Sequence, residues 1–280
     1  MNLNTLNGRM DELKTIPTGT KLLPTRWVYA IKTDDENRPI KAKARLVVLG
    51  NLQNQSDYGE HSAPVVSKDA TRIMFAYAAS KKFEIHQADC VAAYLNAPLE
   101  KHVLSPPLPG QEKKVIWRLK KAVYGLRQSG FIWAQTLATM LIDNNFLRCP
   151  FEPCLYRKGE LLLGVYVDDL LITGPSVQIE SFIEQIGKEY EMKYLGKSSF
   201  FLGINIYQEN NSVKIGSSSF IERIGIRFNL KPVKRSTPLS PKFTGQDQDA
   251  NVLNALPKQN GVDTGANKKQ GCNDYKGGRH

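Results

Sequence analysis

Apolar and polar residues alternate with two different periods along most of this chain, and the periods predict its elements. Apolar positions recur at helical spacing over 70–81, 131–144, 179–192 and 218–228, which predicts four helices. A shorter helical pattern near the start runs through Leu13.

Runs rich in β-branched and aromatic residues predict strands between these helices. The runs 26–32 and 43–49 flank a polar turn at 34–37, so they form a predicted hairpin with basic residues on both arms. Helices and strands follow one another without regular βαβ alternation, which predicts an α+β fold. The remaining predicted strands are 83–90, 155–157, 161–173, 200–207 and 213–215.

The end of the chain differs in composition from the rest. Gln, Asp, Asn, Gly and Lys dominate after Phe243, and Tyr275 is the only aromatic residue there. Such a segment cannot bury enough apolar area to offset the entropy of ordering it. We therefore predict a disordered tail over 241–280.

The net charge points to an anionic partner. Among 280 residues, 38 Lys and Arg oppose 27 Asp and Glu, which gives +11 at pH 7. Nucleic acid is the commonest such partner of a basic protein. Basic and aromatic residues alternate over 113–127, which indicates either a surface for phosphate backbones or an ordinary solvated face.

Membrane and disulfide chemistry are both disfavoured. The most apolar stretch, 161–173, is too short to span a membrane and carries two aspartates at its centre, so no membrane partner is expected. The four cysteines form no C-x-x-C pair, which favours a reduced, intracellular protein.

Two adjacent carboxylates, Asp168 and Asp169, interrupt that apolar stretch. Unpaired charges are costly in a core, whereas at a hairpin tip both side chains can reach one site at the rim of a sheet. Asp89 ends another apolar strand, and carboxylates from separate strands can hold the paired Mg²⁺ ions of phosphoryl transfer. A solvated Asp-rich turn and a strand-end turn residue are the simpler alternatives.

Five sequence blocks follow one another along the chain: KARLVVLG (43–50), SAPVV (62–66), QADCVAAYLNA (87–97), LKKAVYGLRQS (119–129) and YVDDLLITG (166–174). In this order they resemble the copia-type LTR-retrotransposon reverse transcriptase. Two later segments, FFLGINI at 200–206 and KPVKRSTPL at 231–239, also resemble that family, so the resemblance covers about 5–240.

The resemblance implies a right-hand polymerase in 1–240, with fingers, an antiparallel palm sheet packed on helices, and part of a thumb or connection. Its partners would be an RNA or DNA template with primer, and dNTPs. Its cofactor would be two Mg²⁺ ions held by Asp89 and Asp168, with Asp169 as third carboxylate. The family works in cytoplasmic particles whose products reach the nucleus, so a cytoplasmic and also nuclear location is expected.

Substrate-binding residues follow from the same resemblance. Tyr94 would select dNTP over rNTP, although a core aromatic is an equally good interpretation. Lys43 and Arg45 would grip the triphosphate from one strand face, unless that face is simply solvated. Gly125 and Gln128 would lie near the template and the incoming nucleotide.

The chain also departs from the family pattern. Ala88 stands where a larger apolar residue is usual, and no ribonuclease H carboxylate set follows the palm region. We therefore expect a fragment of a truncated element. It would be an RNA-directed DNA polymerase, a non-catalytic nucleic-acid-binding remnant, or a relic that does not fold alone.

Overall fold

The structure is a computed structural model, and it divides the chain into two compact units, Met1–Gly216 and Ser217–His280. The predicted turn at 34–37 and the predicted disordered tail lie outside the residues that it describes. Those residues are 9–13, 21–33, 38–107, 116–209 and 212–229.

Within the described residues, the first unit contains three α-helices, three short 3-10 helices and fourteen strands. The helices are α1 (Lys68–Lys81), α2 (Ser129–Asp143) and α3 (Ser176–Gly187). The second unit contributes α4 (Ser218–Arg227). The strands are β1 (Met10–Leu13), β2 (Thr25–Thr33), β3 (Pro39–Val48), β4 (Ile85–Cys90), β5 (Pro98–Ser105), β6 (Ile116–Lys121), β7 (Leu147–Arg148), β8 (Leu155–Lys158), β9 (Leu161–Tyr166), β10 (Asp169–Thr173), β11 (Met192–Lys197), β12 (Phe200–Phe201), β13 (Ile204–Glu209) and β14 (Ser212–Gly216).

A six-stranded sheet with the order β11-β4-β10-β9-β8-β7 forms the centre of the first unit. Its strands pair antiparallel, as do those of the smaller sheets β1-β6-β5, β12-β13-β14 and β2-β3. The predicted α+β class, with antiparallel sheets and helices, is confirmed.

The main core lies where α1, α2 and α3 pack against the central sheet. Met74 of α1 and Trp133 of α2 are almost fully buried in one cluster with Ile85 of β4 and Leu163 of β9. Helix α1 begins where the Ser67 hydroxyl accepts a hydrogen bond from the Ala70 amide (3.1 Å). Among the described helices, none combines the length and the apolar character that crossing a bilayer requires.

The β2–β3 hairpin is confirmed, and its register places Lys43 and Arg45 on one face. Val28 pairs with Arg45 and Ala30 with Lys43. The base of the hairpin is anchored by a second core cluster, which includes Leu46 and Val48 together with Leu95, Leu119, Val123 and Leu126. Most of β2 stays exposed to solvent beyond this anchor.

Two predicted elements are wrong, because pairing with strands that are distant in the sequence decides their conformation. The segment around Leu13 is a strand rather than a helix, because Asp11 on β1 pairs with Arg118 on β6 and forms an ion pair with it (2.5 Å). The helix predicted over 179–192 stops at Gly187, and Met192–Lys197 instead pairs with β4 as the sheet-edge strand β11.

The strand predicted over 200–207 divides into β12 and β13. It breaks at Leu202 and Gly203, both of which have positive φ angles (47° and 85°). Strands β5 and β6 were not predicted, because their charged residues hide any clear alternation.

Candidate active site

The aspartate-bearing turn between β9 and β10 is a strained two-residue loop. Tyr166 pairs with Asp169, which leaves Val167 and Asp168 at the tip. Val167 has φ 58°, a conformation that costs a β-branched residue energy but that such hairpin loops require. The buried indole of Trp133 donates a hydrogen bond to the Val167 carbonyl (2.7 Å), so α2 holds the turn in place.

Asp89 comes to this turn through the pairing of β4 with β10. Asp89 and Asp169 are direct partners in that register, so their side chains share one face of the sheet. The Cys90 amide donates to the Asp168 carbonyl (2.8 Å). The three predicted carboxylates therefore meet at one end of the sheet, although the sequence separates Asp89 from the other two.

Burial and mutual repulsion raise the pKa of two of these carboxyl groups. For Asp89, burial is the larger cause and the charge of Asp168 adds to it, while Lys193 and Lys43 oppose the rise in pKa. For Asp169, burial raises the pKa, a hydrogen bond from the Gln87 amide (3.4 Å) lowers it, and the other two carboxylates raise it further. The site is therefore built to receive positive charge.

Lysines face the carboxylates from two sides. Lys43 is on the hairpin, where burial and the neighbouring charges of Arg45 and Lys32 lower its pKa while Asp89 and Asp168 raise it. Lys193 on β11 is the direct cross-strand partner of Asp89. It was missed by the sequence analysis because β11 itself was not predicted.

A pair of tyrosines borders Asp168. The rings of Tyr94 and Tyr124 lie 5.0 Å apart, and the Arg45 guanidinium lies 5.5 Å above the Tyr124 ring. Burial raises the pKa of both phenols, and the Asp168 charge raises both further. Tyr94 is thus half-buried beside the carboxylates and also packs against the main core, so both of its interpretations describe part of its environment.

The sequence analysis placed Tyr124 only among the basic and aromatic residues of 113–127 and gave it no role beside the carboxylates. Its position directly before Gly125 in the 119–129 block was the available signal. Tyr124 holds Arg45 beside the carboxylates, because the Arg45 guanidinium stacks on its ring. Burial and Asp168 raise the pKa of the Tyr124 phenol, while the charge of Arg45 and a hydrogen bond with it lower that pKa.

Gly125 and Gln128 hold the local architecture. Gly125 has φ 95°, and a Cβ there would lie 2.0 Å from the Val48 carbonyl oxygen. The Gln128 side chain is buried and accepts a hydrogen bond from Gln53 Nε2 (3.1 Å). These contacts join the hairpin to the start of α2, and a contact of either residue with nucleotide stays a prediction.

The donor set fits Mg²⁺. Asp89, Asp168 and Asp169 would offer carboxylate oxygens, and Mg²⁺ is usually bound through one or two carboxylates together with water and substrate phosphates. Among the residues that the structure describes, no three Asp, Glu, His or Cys side chains stand close enough together to form one metal centre by themselves. Asp89 and Asp168 would be the pair to hold an ion, because the pairing of β4 with β10 and the hydrogen bond from the Cys90 amide to the Asp168 carbonyl bring them to one end of the sheet.

Carboxylates, lysines and aromatic rings thus lie together at one end of the central sheet, and comparison with known proteins shows which family this chain belongs to. The chain belongs to the family described as reverse transcriptase (RNA-dependent DNA polymerase), whose model matches residues 10–241. The resemblance to copia-type reverse transcriptases is thereby confirmed.

Individual relatives are transposon polyproteins. The chain is 32% identical to the retrovirus-related Pol polyprotein from transposon TNT 1-94 of Nicotiana tabacum over 243 residues, 82% of this chain and 18% of that protein. It is 28% identical to the Pol polyprotein from transposon RE2 of Arabidopsis thaliana, over 85% of this chain and 17% of that protein. It is also 28% identical to the Ty1-NL2 Gag-Pol polyprotein of Saccharomyces cerevisiae, over 80% of this chain and 14% of that protein. The chain thus spans less than a fifth of the curated relatives it matches.

The raised pKa of Asp89 gives a testable effect on stability. Folding favours the protonated carboxyl, so the charged form destabilises the fold above its folded-state pKa. Replacing Asp89 with asparagine should therefore raise the free energy of unfolding near neutral pH. The gain should shrink as the pH falls through the folded-state pKa and should disappear below the ordinary value of 3.8, where the wild-type carboxyl is protonated in both states. Urea denaturation at both pH values measures this, and an equal gain at both would contradict the account.

Proposed function

We propose that this chain is the polymerase region of a retrotransposon Pol protein and performs RNA-directed DNA synthesis. In this proposal the central sheet with α1, α2 and α3 is the palm, and the β2–β3 hairpin belongs to the fingers. The observation that carries the proposal is the register of β4 with β10, which sets Asp89 opposite Asp169 and beside Asp168.

Asp89 and Asp168 would hold two Mg²⁺ ions, which when bound stabilise negative charge on the attacking and leaving oxygens. Asp169, which accepts the hydrogen bond from Gln87, would add the third carboxylate. The reaction forms a bond between the primer 3′-oxygen and the dNTP α-phosphorus and breaks the bond to pyrophosphate. The hydroxyl proton passes to solvent water as the new phosphodiester forms, and pyrophosphate is released.

Lys43 and Arg45 would bind the triphosphate. Both project from the hairpin face whose charges act on the site, and Tyr124 fixes the guanidinium of Arg45. A guanidinium binds phosphate oxygens in a defined orientation, whereas an ammonium adds charge with little directional demand. The net charge of +11 would strengthen binding of the primer–template in a salt-dependent way.

The position of Tyr94 predicts a role in choosing the sugar. The ring lies against Tyr124 and next to Asp168, where the ribose of a nucleotide at the carboxylates would sit. Replacing Tyr94 with alanine should raise rNTP use relative to dNTP use by roughly 10- to 200-fold, the range of one steric contact in a pocket. Steady-state incorporation of matched dNTP and rNTP measures the ratio. An unchanged ratio with normal dNTP incorporation would show that the ring serves only the core.

Primer extension tests the proposed function itself. The purified chain is incubated with a primed RNA template, labelled dNTP and Mg²⁺, and duplex binding is measured in the same preparation over a range of salt concentrations. We expect incorporation together with binding that weakens steeply with salt. Binding without incorporation would favour the non-catalytic remnant and overturn the proposal.

A further inference from the structure

A concave surface runs along helix α2, apart from the three aspartates. We call it the α2 groove; it encloses about 740 Å³. Besides α2, three segments form its walls: 57–60, 98–100 and 189–190. Of the residues assigned above to nucleotide or metal binding, only Gln128 lines the groove.

The charge of the α2 groove is opposite to that of the chain. Among the side chains that the structure describes, no lysine, arginine or histidine lines it. In the described part of the chain, none of the acidic lining residues forms an ion pair. Arg127 stacks on the Tyr58 ring (5.4 Å) without joining the lining. The acidic lining residues are Asp57, Glu60, Glu100, Asp143 and Glu189.

Apolar side chains also contribute to the lining. Ile132 and Tyr190 lie partly buried against the main core, and Leu99 and Met140 are buried. Phe131 adds an aromatic ring. A surface that combines apolar side chains with acidic ones suits a partner with an apolar stripe and basic flanks.

The length of α2 indicates the shape of that partner. Its 15 residues, at about 1.5 Å per residue, make a wall some 22 Å long. A helix of similar length can lie beside another helix at an interaxial distance of about 8–10 Å and bury its apolar stripe. Nucleic acid is disfavoured, because unpaired carboxylates would oppose its phosphates.

We propose that the α2 groove binds a basic, amphipathic helix of a partner polypeptide. The apolar side chains of that helix would cover Phe131, Ile132 and Tyr190. Its lysines and arginines would pair with Glu100, Asp143 and Glu189. This proposal does not depend on polymerase activity, since it uses a surface distinct from the three aspartates.

A designed peptide tests the proposal. The probe is a fluorescein-labelled 18-residue peptide of leucine and lysine, with leucines at i, i+3, i+4 and i+7 spacing. Binding to the full chain is followed by fluorescence anisotropy. The triple variant Glu100→Lys, Asp143→Lys, Glu189→Lys should weaken binding by roughly 10- to 100-fold. All three side chains are exposed, so the thermal melt should change little.

Two controls separate this site from general charge attraction. Glu180→Lys on α3, also exposed and outside the groove, should leave the affinity within about twofold. A peptide of the same composition with its apolar stripe scrambled should bind at least about tenfold more weakly.

Three results would overturn the proposal. Equal binding of the scrambled peptide would show that only charge is recognised. Displacement of the peptide by a DNA duplex, in the triple variant as in the wild type, would place the peptide on the nucleic-acid surface. Concentration-dependent self-association that the triple variant abolishes, without peptide binding, would assign the groove to a second copy of this chain.

Discussion

Nucleotide incorporation should fall by about 10³-fold when Asp168 is replaced with asparagine, with the primer–template still bound. Asparagine keeps the shape of the side chain but removes the negative charge that would hold Mg²⁺ at the tip of the β9–β10 turn. Asp89→Asn should act similarly, because Asp89 reaches the same sheet end through its pairing with β10. Single-nucleotide incorporation under rapid quench, with binding measured separately, gives the two quantities.

The matched control is Asp69→Asn on α1. Asp69 is an exposed carboxylate that pairs only locally with Arg72 (3.0 Å), so its removal should leave incorporation within about twofold. The Asp168 variant should also melt no lower than the wild type, because it relieves repulsion of Asp89 and Asp169. Equal incorporation by the Asp168 variant and the wild type would refute the assignment of the site.

The largest expected loss of stability comes from Gly125→Ala. The left-handed φ of 95° costs an alanine about 1–2 kcal/mol. The new Cβ would lie 2.0 Å from the Val48 carbonyl oxygen, and relieving such overpacking costs a further 1–3 kcal/mol or so. We expect the free energy of unfolding to fall by about 2–5 kcal/mol in total, measured by urea denaturation.

Alanine substitutions at two other glycines separate the two causes of this loss of stability, the strained φ and the steric overlap. Gly196 has φ 71° with nothing within 4 Å of a new Cβ, so Gly196→Ala should cost only the conformational part. At Gly59, a new Cβ would have nothing within 4 Å and the backbone is not left-handed, so Gly59→Ala should leave the free energy of unfolding almost unchanged. If Gly125→Ala cost no more than Gly196→Ala, the close approach of the hairpin to Gly125 would be wrong.

The Gly125 change should also lower incorporation. Tyr124 is the adjacent residue, and the Val48 amide donates to its carbonyl (2.8 Å). Moving this backbone would shift the Tyr124 ring and, with it, the Arg45 guanidinium that lies over the ring. The expected signature is a raised KM for dNTP in the fraction that remains folded.

Sequence patterns predicted the elements of this fold that depend on residues close together in the chain. The helix 70–81 was predicted from Ile73, Phe75, Ala76 and Ala79 at helical spacing, and the helix is there. Its buried face was predicted less well, because Phe75 is buried but Ile73 is exposed, and Met74 and Ala78 complete the face instead. The hairpin of 26–32 with 43–49 was predicted because apolar and polar residues alternate in both arms, and the two strands pair in the structure. The meeting of Asp89 with Asp168 and Asp169 was inferred from the family resemblance, and the sheet register then supplied its geometry.

The features that the sequence could not predict depend on contacts between residues that are far apart in the chain. Residues 192–197 carry no clear strand pattern, since as an edge strand β11 is mostly exposed, and so Lys193 was overlooked as the neighbour of Asp89. The place of Tyr124 beside the carboxylates was not predicted for a similar reason. Its role depends on Tyr94 and Arg45, which reach it from other elements, and no local period records such contacts.

The most direct test of the central claim is a template swap. The purified chain is given Mg²⁺ and either poly(rA) primed with oligo(dT) or poly(rC) primed with oligo(dG), and the incorporation of dTTP and dGTP is compared. A reverse transcriptase built on Asp89, Asp168 and Asp169 should take dTTP on the first template and dGTP on the second. Incorporation that ignores the template, or none on either template by a folded chain that binds both, would contradict the account.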